Sequence, residues 1–146
     1  KSINLPITIE ECWEFFSSPK NLKIITPNYM GFNIIDLEDT KMYSGQIIKY
    51  DVTPLFGINI KWVTEISHVK ENSFFVDEQR FGPYKFWHHK HKFEIIDGGV
   101  KIIDILDYSL PFGFIGLFFH PFLVKPKLDE IFRYREKKLI EIFGKL

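Results

Sequence analysis

The chain carries a single cysteine, Cys12, so no disulfide can form within it. That suits a reducing compartment, and a cytoplasmic location is the expectation. It has no excess of either charge: Lys and Arg number 19, Asp and Glu 19, and the formal net charge is zero. A nucleic-acid partner needs a basic footprint, so none is expected. It also lacks a long apolar run. The longest, Leu110 to Val124, is broken by Pro111, Gly113, Gly116, His120 and Pro121 and is too short to cross a bilayer, so no transmembrane segment is expected. No secretory leader is read at the start, which looks as though the chain begins inside a strand. Linkers, low-complexity tracts and internal repeats are missing. So are a phosphate-binding loop, a dinucleotide fingerprint and a hydroxyl nucleophile beside a base; Gly57, Gly82, Gly113 and Gly116 read as turn glycines.

What the chain has in quantity is aromatic surface. Aromatics make up 17% of the 146 residues, with 16 Phe. Phe is a bulky, rigid, apolar wall material, so the excess suits a dense core or an apolar pocket. The length fits one domain, 1–146, with a sizeable core.

Lys1 to Leu5 reads as a strand. Thr8-Ile9-Glu10-Glu11 has the form of a capping box, and Ile9, Cys12, Trp13 and Phe16 follow helical spacing to about Ser17. Ser18-Pro19 starts a second short helix, Pro19 to Ile25, closed by Thr26-Pro27. The pattern then turns to strands at Gly31–Glu38, Gln46–Thr53, Ile58–Val69, Ser73–Phe81, Phe86–Ile96 and Val100–Leu110. Turn-like breaks separate them at Glu38-Asp39, Pro54 to Gly57, Glu71-Asn72, Gly82-Pro83 and Asp97-Gly98. Leu128, Ile131, Phe132, Arg135, Leu139, Ile142 and Phe143 trace one face of a long helix over about Lys125–Phe143. Short loops imply an antiparallel meander, and the long helix is its cover. The expectation is an α+β helix-grip fold: a curved antiparallel sheet around a long C-terminal helix, with two short helices after the first strand.

The histidines stand out. Along Phe86–Ile96, alternation puts Trp87, His89, His91, Phe93 and Ile95 on one side, which Phe93 and Ile95 mark as apolar. Inward polar groups need partners, and a set of them suggests a lined cavity. On Ile58–Val69 the even positions, Ile58 to Ile66, face in; Phe75, Asp77, Gln79 and Phe81 share a side of the next strand. A two-residue Glu71-Asn72 turn sets Trp62 opposite Phe81, Thr64 opposite Gln79 and Ile66 opposite Asp77. A turn from Gly82 to Phe86 sets Phe81 opposite Trp87, Gln79 opposite His89 and Asp77 opposite His91. An Asp97-Gly98 turn sets Phe93 opposite Ile102 and His91 opposite Asp104, with Leu106, Tyr108 and Leu110 inward. A Gly98-Gly99 turn would move Asp104 beside Phe93. In the first register Asp77, His91 and Asp104 form a row across three strands, about 5 Å apart at Cβ.

That row reads either as a structural network or as a pocket floor where an Asp orients a His that binds or protonates a ligand oxygen. His89 and His91 also point the same way, as metal ligands can, with Asp77 as a third; the chain lacks a stronger ligand cluster, so neither metal nor other cofactor is expected. Arg135 reads as a snorkelling stem with its guanidinium at the rim, or as a partner for an inward acid. Cys12 reads as core.

Longer segments resemble the START and birch-pollen-allergen superfamily, also called SRPBCC. Leu5-Pro6-Ile7-Thr8-Ile9-Glu10-Glu11-Cys12-Trp13-Glu14-Phe15 is similar to its first strand and helix, and Ser18 to Leu22 with Thr26-Pro27 to its second helix. The stretch from Phe75-Val76-Asp77-Glu78-Gln79-Arg80-Phe81-Gly82-Pro83-Tyr84 through Trp87-His88-His89-Lys90-His91-Lys92-Phe93 resembles a bacterial subgroup described as cyclase/dehydrase-like or ligand-binding. Leu110-Pro111-Phe112-Gly113 and Ile131-Phe132-Arg133-Tyr134-Arg135 match it as well. The resemblance implies a deep hydrophobic cavity. It does not fix a reaction, since members transfer lipids, bind hormones or cyclise polyketides, and no catalytic residue carries over.

The leading expectation is a carrier or binder of a small hydrophobic ligand. Its apolar walls would include Trp62, Phe75, Phe81, Trp87, Phe93, Leu106, Tyr108 and Phe132. Thr64, Asp77, Gln79, His89, His91, Asp104 and Arg135 would meet polar groups. One alternative is an enzyme of cyclase, dehydratase or isomerase type, with Asp77 or Asp104 tuning His89 or His91. Another is a peripheral membrane lipid binder that uses Phe112 to Phe122 as a flap over the pocket mouth.

Overall fold

The computed structural model describes residues 1–36, 41–53, 57–114, 118 and 120–146. Its elements in chain order are β1 (Ser2–Leu5), α1 (Ile9–Phe16), α2 (Pro19–Ile24), a 3-10 turn (Asn28–Met30), β2 (Asn33–Asp36), β3 (Gln46–Val52), β4 (Ile60–Lys70), β5 (Phe74–Phe81), β6 (Phe86–Ile96), β7 (Gly99–Ser109), a wider π-type turn (His120–Val124) and α3 (Lys125–Phe143). The strands make one curled antiparallel sheet in the order β1-β7-β6-β5-β4-β3-β2. The expected α+β helix-grip architecture is present. The Glu38-Asp39 turn, residues 54–56 of the next turn, and Gly116 lie outside the described residues.

Local chemistry sets the elements. Thr8 caps α1 with the reciprocal pair that its sequence announces. The Glu11 N–H donates to Thr8 Oγ1 at 3.2 Å, and the Thr8 N–H donates to Glu11 Oε2 at 2.8 Å. Pro19 opens α2, and the Thr26 hydroxyl closes its end by donating to the Leu22 carbonyl at 2.6 Å. α1 lays Cys12 and Phe16 inward, and Trp13 sets its edge against Phe75 and Phe93 at 6.2 and 6.0 Å. These rings join Leu5, Val100, Ile102 and Leu139, all at most 1% exposed, in a tight core at one end of the sheet. Burial pushes the Cys12 thiol up to about 12, so Cys12 is inert packing.

The β6–β7 hairpin turns on Asp97-Gly98, with Gly98 at φ 77°, and pairs Phe93 with Ile102 and His91 with Asp104. The Gly98-Gly99 alternative does not occur. Gly99 has its own reason to be glycine: a Cβ there would sit 2.0 Å from the Leu5 carbonyl oxygen, where β1 joins the sheet.

Two neighbouring registers depart from expectation. The β4–β5 turn takes three residues, 71–73, with Asn72 in the left-handed region at φ 57°. The extra residue is absorbed by a bulge at Ser67, so Ile66 pairs with Asp77 and Thr64 with Gln79 as expected. A second bulge at Arg80 then puts Phe81 opposite Val63 rather than Trp62. It flips Phe81 to the outer face, where it is 63% exposed, and that corrects its inward placement.

Across β5–β6 the ladder is offset by two residues: Asp77 pairs with His89, and Phe75 with His91. The cause is Gln79, whose amide accepts from the Tyr84 N–H at 3.1 Å and donates to the Tyr84 carbonyl at 2.7 Å. A side chain thus closes the loop in place of strand pairing, and pairing stops at Glu78–His88. A shift of two keeps every side chain on its face but changes its neighbours. Ile95 is also corrected. It is 75% exposed, because β5 begins opposite Lys92 and leaves the tip of β6 overhanging. Ile142 likewise lies at the edge of the inner helix face and is exposed.

Candidate functional site

The sheet and α3 part at the other end and enclose a cavity of about 570 Å³. Ile48, Tyr50 and Val52 of β3, Ile60 and Trp62 of β4, Trp87 of β6, and Leu128, Ile131 and Phe132 of α3 form its walls. Leu22, Ile25 and Met30 add a side, and Pro111, Phe112, Leu123 and Val124 stand at its margin. The volume matches a drug-sized ligand.

Its floor is polar. His91 Nε2 lies 2.8 Å from Asp77 Oδ2, and His89 Nδ1 lies 3.5 Å from the same oxygen. The other ring nitrogens turn away from the cavity toward one oxygen of Asp104, His89 Nε2 at 2.9 Å and His91 Nδ1 at 3.0 Å. The second contact is close but poorly aligned, so His91 Nδ1 has no well-directed hydrogen bond. Trp87 Nε1 donates to Asp77 Oδ1 at 3.1 Å. Arg135 reaches down from α3 to Asp104 Oδ1 at 3.4 Å. Below the cluster, His91 stacks on Phe75 at 4.3 Å; at its side, Phe132 turns an edge to His89 at 5.9 Å. His89, His91 and Arg135 are all buried.

The electrostatics of this cluster divide the two histidines. Burial alone would lower His91, but the hydrogen bonds and charges of Asp104 and Asp77 outweigh it and hold it above its ordinary value. For His89, burial and the neighbouring His91 charge win over the carboxylates, and its value falls. Burial works to raise Asp77, yet His89, His91 and the Trp87 N–H outweigh it and keep it below the ordinary range. Asp104 goes well below that range: both histidines and Arg135 overcome its burial. The two carboxylates therefore favour the charged form of His91, while burial and His91 favour the neutral form of His89.

Of the residues expected at the site, the cavity collects Trp62, Thr64, Phe75, Asp77, Trp87, His89, His91, Phe132 and Arg135. The others lie elsewhere. Phe93 is core, 4% exposed. Asp104 stands behind the histidines. Gln79 is committed to Tyr84, and Phe81 points out. Leu106 sits on β7 beyond the lining, and Tyr108 shares a 2.5 Å hydrogen bond with His120 Nε2. Arg135 is not at the rim: the acid-partner reading of its position is the one realised. The β3 wall lies outside the expected set, although the alternation Gln46, Ile48, Tyr50, Val52 carries the signal. Tyr50 shares a 2.5 Å hydrogen bond with Thr64 across that wall, and Trp62 Nε1 is buried there without an acceptor among the described residues. Asp77, His89 and His91 each offer a ligand atom, and the three lie within 4.8 Å of one another.

Phe112, Phe114, Phe118 and Phe122 are 67 to 82% exposed beside the mouth. Phe112 holds φ at 67°, a conformation that costs a bulky residue about 1–3 kcal/mol. The rest of the expected flap, residues 115–117 and 119, is outside the described residues. Among those described, no helix is long and apolar enough to cross a membrane.

No protein-family model matches the sequence, and no curated protein matches it. Solved structures do match. Protein CV1439 from Chromobacterium violaceum superposes with a TM-score of 0.73 at 9% identity, covering 99% of this chain and 94% of that one. Ara h 8.0201 gives 0.62 at 16% identity, with 97% and 95% covered. The nucleoside-diphosphate sugar epimerase from Corynebacterium glutamicum gives 0.66 at 23% identity over 96% of this chain, but only 28% of its own. At these identities the likeness is one of fold.

Proposed function

From a helix-grip fold shared with these proteins, we propose that the chain binds or carries a small hydrophobic ligand between sheet and α3, as a cytoplasmic protein of bacterial type. One observation carries this reading: a cavity of about 570 Å³ with aromatic and aliphatic walls ends on a His/Asp/Arg floor. Such a site suits a molecule with an apolar body and one oxygen-bearing end, be it a lipid, a polyketide or another aromatic metabolite. The walls exclude water, and the floor orients the polar end. Native mass spectrometry of protein purified without denaturation should reveal a co-purified lipid or aromatic metabolite. An apolar dye such as ANS should bind saturably and be displaced by such molecules. Failure to bind across a panel of fatty acids, sterols and aromatic polyketides would overturn the reading.

Two observations favour further roles at the same cavity. The exposed Phe112, Phe114, Phe118 and Phe122 suit loading from a lipid surface into which aromatic rings dip. Liposome sedimentation should then fall when Phe112 and Phe114 are both changed to Ser. His91 between two carboxylates suits acid/base work of a cyclase, dehydratase or isomerase, with Asp77 or Asp104 as its tuning partner and His89 beside it. A scan of ketones and enones for turnover tests that reading, and turnover that persists in His91→Gln would exclude His91 as the acid/base group.

A further inference from the structure

The structure assigns a divalent-cation site to Asp77, His89 and His91, with zinc the fitting chemical class and the open coordination position facing the cavity. From the sequence, His89, His91 and Asp77 are candidate ligands, but with no stronger ligand cluster no metal is expected. The folded geometry adds three things. Donor convergence is the first. His91 Nε2 and His89 Nδ1 stand 2.8 and 3.5 Å from one Asp77 oxygen. Zinc bonds of about 2.0–2.1 Å in a tetrahedron hold neighbouring donors about 3.3 Å apart; the three donors lie within 4.8 Å of one another, so the rings close on the ion by side-chain rotation without movement of the strands.

The second is the outer shell. A metal-bound imidazole characteristically gives its other ring N–H to a carboxylate, which fixes the tautomer and makes the ring a better donor. Here both histidines turn that other nitrogen to the same Asp104 oxygen, at 2.9 and 3.0 Å, and Arg135 holds the oxygen from behind at 3.4 Å. For His89 the same arrangement leaves Nδ1, 3.5 Å from Asp77, without a close hydrogen bond and turned to the cavity acid. The third is access. Asp77, His89 and His91 all line the cavity whereas Asp104 does not, so a fourth ligand would be water or an oxygen of a cavity occupant. Imidazole and carboxylate donors with one open position suit zinc in a tetrahedral geometry, although copper(II) would bind such donors more tightly.

This inference does not rest on the apolar-ligand reading and is tested with no organic ligand present. Chelator-stripped full-length protein is titrated with zinc chloride by calorimetry and with cobalt(II) by visible absorption. The expected result is one ion per chain and the intense absorption of tetrahedral cobalt. Asp77→Asn and His89→Gln should each abolish saturable binding. Asp104→Asn should retain the stoichiometry but bind about 10–100-fold more weakly. His68→Gln and His88→Gln, which alter rings outside the cluster, should bind as the wild type does. Circular dichroism reports whether each variant folds. For any that does not, ring-nitrogen NMR of the wild type decides: zinc should shift His89 and His91 and leave His68 and His88 in place. Absence of one-to-one binding in the wild type, binding that survives both ligand substitutions in folded protein, or shifts confined to other histidines would overturn the site.

Discussion

At the scale of the residue, His91 decides the behaviour of the floor. Its folded-state pKa lies above the ordinary value near 6.5, so the stability it contributes is fully present below about 6.5. That stability is lost as pH rises through the folded value. His89 is displaced downward, so its contribution is present above about 6.5 and lost as pH falls through its folded value. NMR titration of metal-free protein should show the His91 midpoint falling in Asp77→Asn and in Asp104→Asn; equal midpoints in all three proteins would show that the carboxylates do not act on it. Removing both acids should cost less than the sum of the single changes, since they share one partner. The contact of His91 with Asp104 is legible in the sequence, because Asp-Gly dictates a two-residue hairpin and alternation does the rest. The contact with Asp77 is legible only as a contact. The ladder puts Asp77 opposite His89, and the carboxylate reaches His91 diagonally. Nothing in the sequence pattern tells that Gln79 will bond the Tyr84 backbone, or that Ser67 and Arg80 will bulge.

At the scale of the element, α3 serves two ends of the molecule with one face. Leu139 is 1% exposed in the core, whereas Phe132 borders the cavity. Leu139→Ala should cost roughly 2–5 kcal/mol in urea denaturation and leave ligand affinity unchanged. Phe132→Ala should cost less than the roughly 3–5 kcal/mol of a packed Phe and should change affinity. A large stability loss at Phe132 with unaltered affinity would remove it from the cavity wall. The β1–β7 seam offers a separate test: Gly99→Ala drives a methyl into the Leu5 carbonyl and should cost about 1–3 kcal/mol. An unchanged denaturation midpoint would show that β1 does not sit as closely as described. Both short helices and α3 are legible from caps, proline and 3.6-residue spacing, and α3 spans the residues that spacing predicts. The π-type turn at His120–Val124 is not, since no local residue preference marks it.

At the scale of the whole molecule, the sheet has a solid end and a hollow one, and the His/Asp floor is the partition between them. α3 crosses that partition at Arg135, where it is tied to Asp104, and beyond it Leu139 and the Phe143–Phe15 ring pair, 5.0 Å apart, fix the far half of the helix. The near half, over Leu128 and Ile131, rests on the cavity. Before its middle the helix is held at the surface, by Asp129 to Lys1 at 3.2 Å and by Lys127 over the Tyr29 ring at 3.9 Å, rather than by packed core, which makes it a lever with Arg135 as fulcrum. On the proposed binding role, occupants of different bulk would share one polar anchor while the near half tilts to suit their girth, giving breadth of ligand choice without loosening the core. Hydrogen exchange should show this as ligand-dependent protection over 125–131 and constant protection over 139–143. Uniform change along the helix would mean that it moves as a rigid lid.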